Sequence, residues 1–495
     1  MPGGGFGSDQ PIPRGDYLVV GLGRAGSAAA SALVGHERTG RVVAWDRSTE
    51  HRVRGAARRL RRRGVEVVLG GDGRAALDVV GPDATVIKSP GIDPHKPPFE
   101  RARELGLQVF DELELGWRLS RSPIVGVTGT NGKSTTARLV ATVLEAAGHS
   151  VQLVGNTEFG PPLSAADHCE WLVCEVSSFQ LEATPSFLPA ISVFTNLTPD
   201  HLSRHSDMAS YGLIKRSMFI RGNRSVGAAV VNIDDPFGRT LATDVARAGG
   251  TVVRYGLHPD ADVRIEDAEW DLVEARQRLR TPDGEVECVT KLPGLHNASN
   301  VAAAFAVGHA LGMPATSTTR ALEGAVGPSG RFELIAGASR PCEVVVDFAH
   351  NPDGIRQMLQ TVRSVIERRD GACLRVVFGP TGASDPQKTR EIGAIAGELS
   401  DQFILTTGTL NYDARVVRLQ EFCRAIAAGE ADLEVVLDRR EAIERAIASA
   451  RPGDVVAVLG LGALGRLVVD AAGTAYPFDD RRVARESLDL VASAA

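Results

Sequence analysis

The sequence predicts an α/β protein built from three units, and three observations carry that expectation. Short Val-, Ile- and Leu-rich runs recur along the chain: YLVVGLG (17–23), TVIKSPG (85–91), PIVGVTG (123–129), WLVCEV (171–176), ISVFTNL (191–197), GAAVVNID (227–234), EVVVDFA (343–349), LRVVFGP (374–380), QFILTTG (402–408) and DVVAVLG (454–460). Helical stretches separate them. Several runs end in glycine or a polar turn residue just where a helix would begin. Buried parallel strands alternating with helices produce this pattern. Ligands of such sheets bind beyond the carboxyl ends of the strands, which is where the unusual residues fall.

The first unit spans residues 1–121 and closes near the helical stretch DELELGWRLSRS. The second, 122–329, starts with a strand and glycine loop and ends in GAVGPSG (324–330), a candidate hinge. The third spans 330–495. The opening stretch MPGGGFGSDQPIPRGD has no apolar core and reads as a flexible leader, not a signal peptide.

Composition excludes several function classes. Apolar residues make up 43% and charged residues 23% of the 495, the balance of a globular protein. The 55 basic against 61 acidic residues give a net charge of −6, so the whole molecule does not attract nucleic acid or anionic lipid. The Arg-rich stretch RVRGAARRLRRR (52–63) reads as a solvated helix face. No apolar run is long enough to span a bilayer. Six scattered cysteines without a CxxC pair argue against a disulfide framework and against a cysteine zinc site. A cytoplasmic address, no membrane or nucleic-acid partner, and a monomer are expected.

The strongest signal is GVTGTNGKSTTARLV (126–140). An apolar strand runs into a loop of small residues (Thr128, Gly129, Thr130, Asn131, Gly132), then Lys133, Ser134 and Thr135, then a helix. Small residues let backbone N–H groups surround a polyphosphate, the helix start adds positive potential, and Lys133 reaches the terminal phosphates. A hydroxyl of Ser134 or Thr135 suits Mg²⁺. The strict phosphate-loop pattern places glycine where Val127 stands, so this is a variant of it. Glu175 ends the buried run WLVCE, a good place to hold Mg²⁺ beside phosphates. His201, in FTNLTPDHLSRH, has the chemistry to ligate a second metal or orient a phosphate; alone it also reads as an ordinary loop histidine. Lys215, in YGLIKRSMF, reads as a solvated helix lysine.

The first unit carries G-x-G-x-x-G at Gly21, Gly23 and Gly26, with Asp46 twenty residues beyond. This Rossmann-like signature fits a ligand with a diphosphate and a ribose. NAD and a UDP-sugar satisfy it equally, so a nicotinamide dehydrogenase is an alternative reading. A nucleotide-driven switch is another.

Together the motifs resemble the Mur ligases, ATP-dependent amino-acid ligases of peptidoglycan synthesis. TGTNGKSTT, GNTEFG (155–160), EVSSFQLE, TNLTPDHLSRH, YGLIKRSMF and LPGLHNASNVAAAFA (292–306) occur in the family's order. The resemblance implies a Rossmann-like UDP-substrate domain, a central phosphate-loop ATPase domain and a carboxyl-terminal α/β ligase domain. It implies that Lys133, Ser134 and Thr135 hold ATP phosphates and Mg²⁺, with two ions bound by Ser134, Thr135, Glu175 and His201. Lys215 matches a lysine that is carbamylated to become a further ligand. Asn297 and Asn300 match adenine-site residues, Arg331 a phosphate-facing arginine, and Asp347 the ribose-holding aspartate. Gly21, Gly23, Gly26, Asp46 and Ser89 (in IKSPGI) match the uridine-nucleotide site, Asn156 a muramoyl contact, and Lys388 a phosphate- and substrate-facing loop.

Within the family, SSFQLE resembles the branch that adds D-glutamate to UDP-N-acetylmuramoyl-L-alanine (MurD), which implies those two substrates. The third unit departs from that branch. DFAHNPDG and PFDDRRVARESL (477–488) look more like the diaminopimelate-adding branch (MurE), cyanophycin synthetases and folylpolyglutamate synthetases. The DNPR motif by which that branch binds diaminopimelate is replaced by TTGTLNYDAR (406–415). A different amino acid, such as L-glutamate, or a different acyl acceptor is therefore the alternative. A second G-x-G-x-x-G (Gly460, Gly462, Gly465) reads as a strand-to-helix turn.

Overall fold

The computed structural model describes residues 10–156, 159–335, 341–381, 386–409, 412–426, 429, 431–468 and 475–494. Most of the leader, and parts of the 155–160, 330–337, 378–401 and 406–415 segments, lie outside the described residues.

Three sheets follow one another along the chain. The first has β1 (Gly15–Val20), β2 (Thr39–Asp46), β3 (Glu66–Leu69), β4 (Thr85–Lys88) and β5 (Gln108–Asp111) in the order β3-β2-β1-β4-β5, all parallel. Apolar clusters cover both faces, one around Tyr17, Val19 and Ile87, the other around Leu18, Val20 and Val86. Alternate residues of one strand thus feed opposite cores, which is why these strands read as unbroken apolar runs. The strand order reverses between β1 and β4, where the glycine loop sits.

The central sheet holds β6 (Ile124–Thr128), β7 (Val151–Gly155), β8 (Trp171–Glu175), β9 (Ile191–Phe194), β12 (Ala228–Asn232), β13 (Thr251–Gly256), β14 (Val263–Trp270), β15 (Ala275–Thr281) and β16 (Gly284–Thr290). A small hairpin, β10 (Ile220–Arg221) with β11 (Arg224–Ser225), interrupts the count. The order is β16-β15-β14-β13-β12-β9-β6-β8-β7, parallel from β7 to β14 and antiparallel thereafter. On one face, the helix Lys133–Ala146 packs with Leu295–Ala310, which is buried nearly all round and rich in alanine. Small side chains let these two helices approach closely beneath the phosphate loop.

The third sheet runs β17-β18-β22-β19-β20-β21, from β17 (Glu333–Ile335), β18 (Glu343–Asp347), β19 (Leu374–Phe378), β20 (Gln402–Leu405), β21 (Asp432–Val435) and β22 (Val455–Leu459). Only β17 is antiparallel. The second glycine motif departs from expectation. After β22 the chain turns through Gly460, Gly462 and Gly465, all at positive φ, into the short strand β23 (Arg466–Val468), paired with β24 (Ala475–Pro477). The turn thus leads directly into a strand and not into a helix, and it abuts Gly330, whose Cβ would lie 2.3 Å from the Ala463 nitrogen.

Candidate active site

The phosphate loop leaves β6 at Thr128 and enters the helix at Lys133. Two glycines fix its path. Gly129 (φ 148°) passes so close to Thr195 that a Cβ would lie 1.9 Å from its Oγ1. Gly132 (φ 84°) would place a Cβ 2.4 Å from Asn300 Oδ1. Neither site admits a side chain. Lys133 folds over the loop, its Nζ donating to the carbonyls of Gly129 (3.2 Å) and Thr130 (2.7 Å). Burial lowers its pKa, and Glu175 partly offsets that.

Ser134 Oγ donates to Glu175 Oε2 at 2.6 Å, and Asn156 Nδ2 approaches the other oxygen at 3.4 Å. This is the hydroxyl–carboxylate pair that a hard cation accepts as ligands. Lys215 is not the solvated lysine its sequence indicates. It is 1% exposed, its Nζ donates to Gly129 O at 2.7 Å, and it lies 4.4 Å from the Tyr211 ring centroid. Burial, with Lys133 nearby, drives its pKa well below the ordinary lysine value. His201 adopts φ 56° and lies 3.7 Å from Asp200. Although 43% of its side chain opens to the cleft, desolvation by the cleft walls pushes its pKa down to about 4, so the ring is neutral at pH 7. Among the described residues no three His, Cys, Asp or Glu side chains converge as a ready-made metal site. A Mg²⁺ ion here would complete its shell with phosphate oxygens and water.

The third sheet supplies the opposite wall. The Arg331 guanidinium stacks 4.4 Å from the Phe348 ring centroid. Asp347 ends β18 and accepts N–H bonds from Phe332 and Ala349, both at 2.6 Å. Burial raises its pKa, while Arg331 and these N–H groups oppose the rise. Lys388 pairs with Asp200 Oδ1 at 3.1 Å. Burial pushes the Asp200 carboxyl up, but Lys388, His201 and His350 outweigh it and hold the group well below the usual carboxylate range.

Two cavities flank the loop. One, of about 520 Å³, reaches Gly132, Thr135, Asn297, Asn300, Arg331 and Asp347. The other, of about 400 Å³, reaches Gly129 to Thr135, Asn156, Glu175, His201, Lys215 and Arg331. Asn297 and Asn300 are largely engaged with the protein itself. Asn300 accepts from Thr136 Oγ1 (3.1 Å) and donates to Asn297 Oδ1 (3.1 Å), while Asn297 donates to Pro293 O (2.8 Å). They buttress the loop as well as line the cavity.

In the first sheet, Gly21, Gly26, Asp46 and Ser89 also come together. A Cβ on Gly26 would meet the Gly21 carbonyl at 1.8 Å, and Ser89 Oγ donates to that carbonyl at 3.3 Å. Gly23 faces open space. Asp46 accepts from the N–H groups of Leu22 (2.7 Å) and Ser48 (2.8 Å), so it shapes the glycine loop. Arg24, just past the loop, donates to Gly160 O, joining this site to the segment that carries Asn156.

Asp200, His350, Asn351 and Asp353 were not picked out from the sequence. Their segments, TNLTPDHLSRH and DFAHNPDG, read as family motifs, but only the fold shows that these four side chains meet across two sheets.

The matched family models are the Mur ligase middle domain over residues 127–308 and the Mur ligase glutamate ligase domain over 330–462. The chain is 35% identical over 387 residues to the UDP-N-acetylmuramoyl-L-alanyl-D-glutamate–2,6-diaminopimelate ligase of Gloeobacter violaceus, covering 74% of this chain and 77% of that one. The chain belongs to the Mur ligase family. A second relative of this Mur ligase is the UDP-N-acetylmuramoylalanine–D-glutamate ligase of Pelotomaculum thermopropionicum, 31% identical over 90% of this chain and 92% of that one. The UDP-N-acetylmuramate–alanine ligase MurC of Thermotoga maritima shares the fold, with a TM-score of 0.59 at 21% identity over 97% of this chain and 100% of that one. The expected special kinship with the D-glutamate branch is not supported, since a diaminopimelate ligase matches at higher identity. Among the described residues no helix is long and apolar enough to cross a membrane.

Proposed function

We propose that this Mur ligase condenses the carboxylate of a UDP-N-acetylmuramoyl acceptor with the amino group of an amino acid, at the cost of ATP. One observation carries the reading: Lys133, Ser134 and Lys215 from the central sheet and Arg331 from the third line a single cavity around the phosphate loop.

An amide does not form from a carboxylate and an amine at pH 7 without activation. In the proposed sequence the acceptor's carboxylate oxygen attacks the γ-phosphorus of ATP, ADP leaves, and an acyl phosphate forms. The amine then attacks the acyl carbon, and the tetrahedral adduct collapses with loss of phosphate and a proton. Charge accumulates as anion at every stage, so catalysis rests on positioning and cation clamping. Thr128 to Thr135 would cradle the triphosphate, with Lys133 and Arg331 on its terminal oxygens. Asn297, Asn300 and Asp347 would border the nucleoside. Mg²⁺ would neutralise phosphoryl oxygens, with Ser134, Thr135, Glu175 and His201 as its candidate ligands. The buried Lys215 amine, its pKa driven down by burial and by Lys133, suits reaction with CO₂, and the resulting carbamate would add a carboxylate-like ligand. Gly21, Gly23, Gly26, Asp46 and Ser89 would border the UDP group, with Asn156 and Lys388 nearer the reacting end. A cytoplasmic address belongs to this proposal.

An amino acid other than D-glutamate is the reading that the higher-identity relative favours, with diaminopimelate first in line. D-Glutamate added to UDP-N-acetylmuramoyl-L-alanine is the second reading, favoured by the more extensive match to a D-glutamate ligase. The test is phosphate release and product mass with UDP-N-acetylmuramoyl-L-alanine and its D-glutamyl extension, each offered D-glutamate, L-glutamate, meso-diaminopimelate and L-lysine. One pair is expected to give stoichiometric phosphate and amide. A product with D-glutamate alone would restore the second reading, and no product with any pair would remove the function.

A further inference from the structure

We propose that Asp353 and Asn131 form a latch that registers the third domain on the phosphate loop, which makes Asp353 a positioning residue for ligation; this rests on the function proposed above. The Asn131 backbone is pinned inside the central domain. Its N–H donates to Asn196 Oδ1 at 2.9 Å, and its carbonyl accepts from Thr195 Oγ1 at 2.7 Å and Asn196 Nδ2 at 3.1 Å. Its side chain crosses to the third domain. Nδ2 donates to Asp353 Oδ2 at 2.7 Å, and Oδ1 accepts from Asn351 Nδ2 at 2.9 Å.

The receiving side is equally fixed. Asn351 caps the helix Pro352–Ile366, accepting from Gly354 N at 2.8 Å, and its amide also donates to Asp200 Oδ2 at 3.1 Å. Gln357, one turn along, donates to both Asp353 oxygens at 3.1 Å and holds that carboxylate toward the loop. Thr198 Oγ1 adds a longer contact at 3.4 Å.

Two short side chains with a charge-assisted bond give a directional contact, unlike the long flexible Lys388 that pairs with Asp200 nearby. The helix bearing Asp353 is reached from β18 through Phe348 and His350, and Phe348 is the platform of Arg331. A shift at Asp353 therefore moves the groups that face the terminal phosphate. The residue that reports loop position to the third domain belongs to the phosphate loop itself.

Asp353→Ala is expected to lower kcat at saturating substrates by about tenfold or more, since misplacing a reacting group by an ångström has effects of that order. The Kd for ADP, read by calorimetry on the full chain, should stay within about threefold, because the phosphate cradle, Asn297 and Asn300 lie in the central domain, ADP lacks the terminal phosphate that Arg331 faces, and only Asp347 is left to cross from the third domain. Asp353→Asn keeps an acceptor oxygen and should recover most of the rate. The double variant with Asn131→Ala should fall no further than the worse single one. If Asp353→Ala does not fold, Asp353→Ser, too short to reach Asn131, makes the same test. Wild-type kcat in Asp353→Ala, or losses that multiply in the double variant, would overturn the latch. Small-angle scattering reads the latch without turnover: with ADP bound, Asp353→Ala should be more expanded than wild type, and an unchanged radius of gyration would also overturn it. Absence of wild-type turnover would instead remove the proposed function and leave the scattering result standing.

Discussion

Two lysine amines share one carbonyl in this site. Gly129 O accepts from Lys133 Nζ at 3.2 Å and from Lys215 Nζ at 2.7 Å. Burial lowers the pKa of both; Arg331 adds to the fall at Lys133, and Lys133 adds to the larger fall at Lys215. Lys133 keeps Glu175 as a compensating charge, so it is suited to remain the cation on a phosphate. Lys215 is suited to be the nucleophilic amine. Lys133→Ala should abolish product formation while thermal unfolding stays cooperative. Lys215→Ala should be inactive too, with partial return of phosphate release in high formate or acetate, which restore a carboxylate. Wild-type rates in either variant would remove that residue from the mechanism. The sequence made the Ser134–Glu175 pair legible, because a carboxylate ending a buried strand beside a phosphate loop has few other uses. Lys215 was singled out only by the family resemblance, and its place under the loop was illegible. Nothing in YGLIKRSMF tells a lysine on a solvated helix from one pressed under a loop, since only tertiary packing decides that.

The helix Glu112–Leu119 joins the first sheet to the central one, and its carboxylates are plugged into the central domain's backbone. Glu112 accepts from Ser164 N at 2.6 Å, and Glu114 accepts from the N–H groups of Ser186 and Phe187 at 3.1 and 2.9 Å. Beneath them Lys88 pairs with Asp111 at 3.0 Å. Burial raises Glu112 from 4.5 to about 7, with its Ser164 bonds opposing the rise. The folded state thus holds this proton more tightly than the unfolded chain. The contribution is complete below pH 4.5 and is lost as pH rises through 7. Glu112→Gln removes the titration. Between pH 5 and pH 8 the wild type should lose about 1–3 kcal/mol of stability relative to that variant, read by denaturant unfolding. A pH-independent difference would contradict the assignment. Each of the ten apolar runs picked out in the sequence lies in a parallel strand, because burial on both faces leaves an unbroken apolar signature. The strands β14 to β16 escaped notice. VRIEDAEW, ARQRLRT and GEVECVT alternate buried and charged residues, with one face on the helix Leu295–Ala310 and the other in solvent.

Across the whole molecule, two glycine loops at strand ends are set around a shared floor, with Arg24 bonded to Gly160 O beside Asn156. The third sheet closes over this floor through Arg331, Asn351, Asp353 and Lys388. Three units and their order were readable from spacing, since each opens with a strand-and-turn signal. The contacts between them were not, because they pair residues as far apart as Asn131 and Asp353: Asn131 reads only as a member of the phosphate loop, and nothing in either segment names its partner in the other. The choice of amino acid is unreadable for the same reason. The segment expected to bear on it, TTGTLNYDAR, follows β20 in the third sheet and partly lies outside the described residues. Both ligase readings proposed above share activation of a carboxylate by a triphosphate, proposed to sit at Thr128 to Thr135. An acceptor labelled with ¹⁸O in its free carboxylate tests this most directly, by mass analysis of the released phosphate. The account predicts one ¹⁸O per phosphate, carried over when the acyl phosphate's C–O bond breaks. Amide product accompanied by unlabelled phosphate would contradict it.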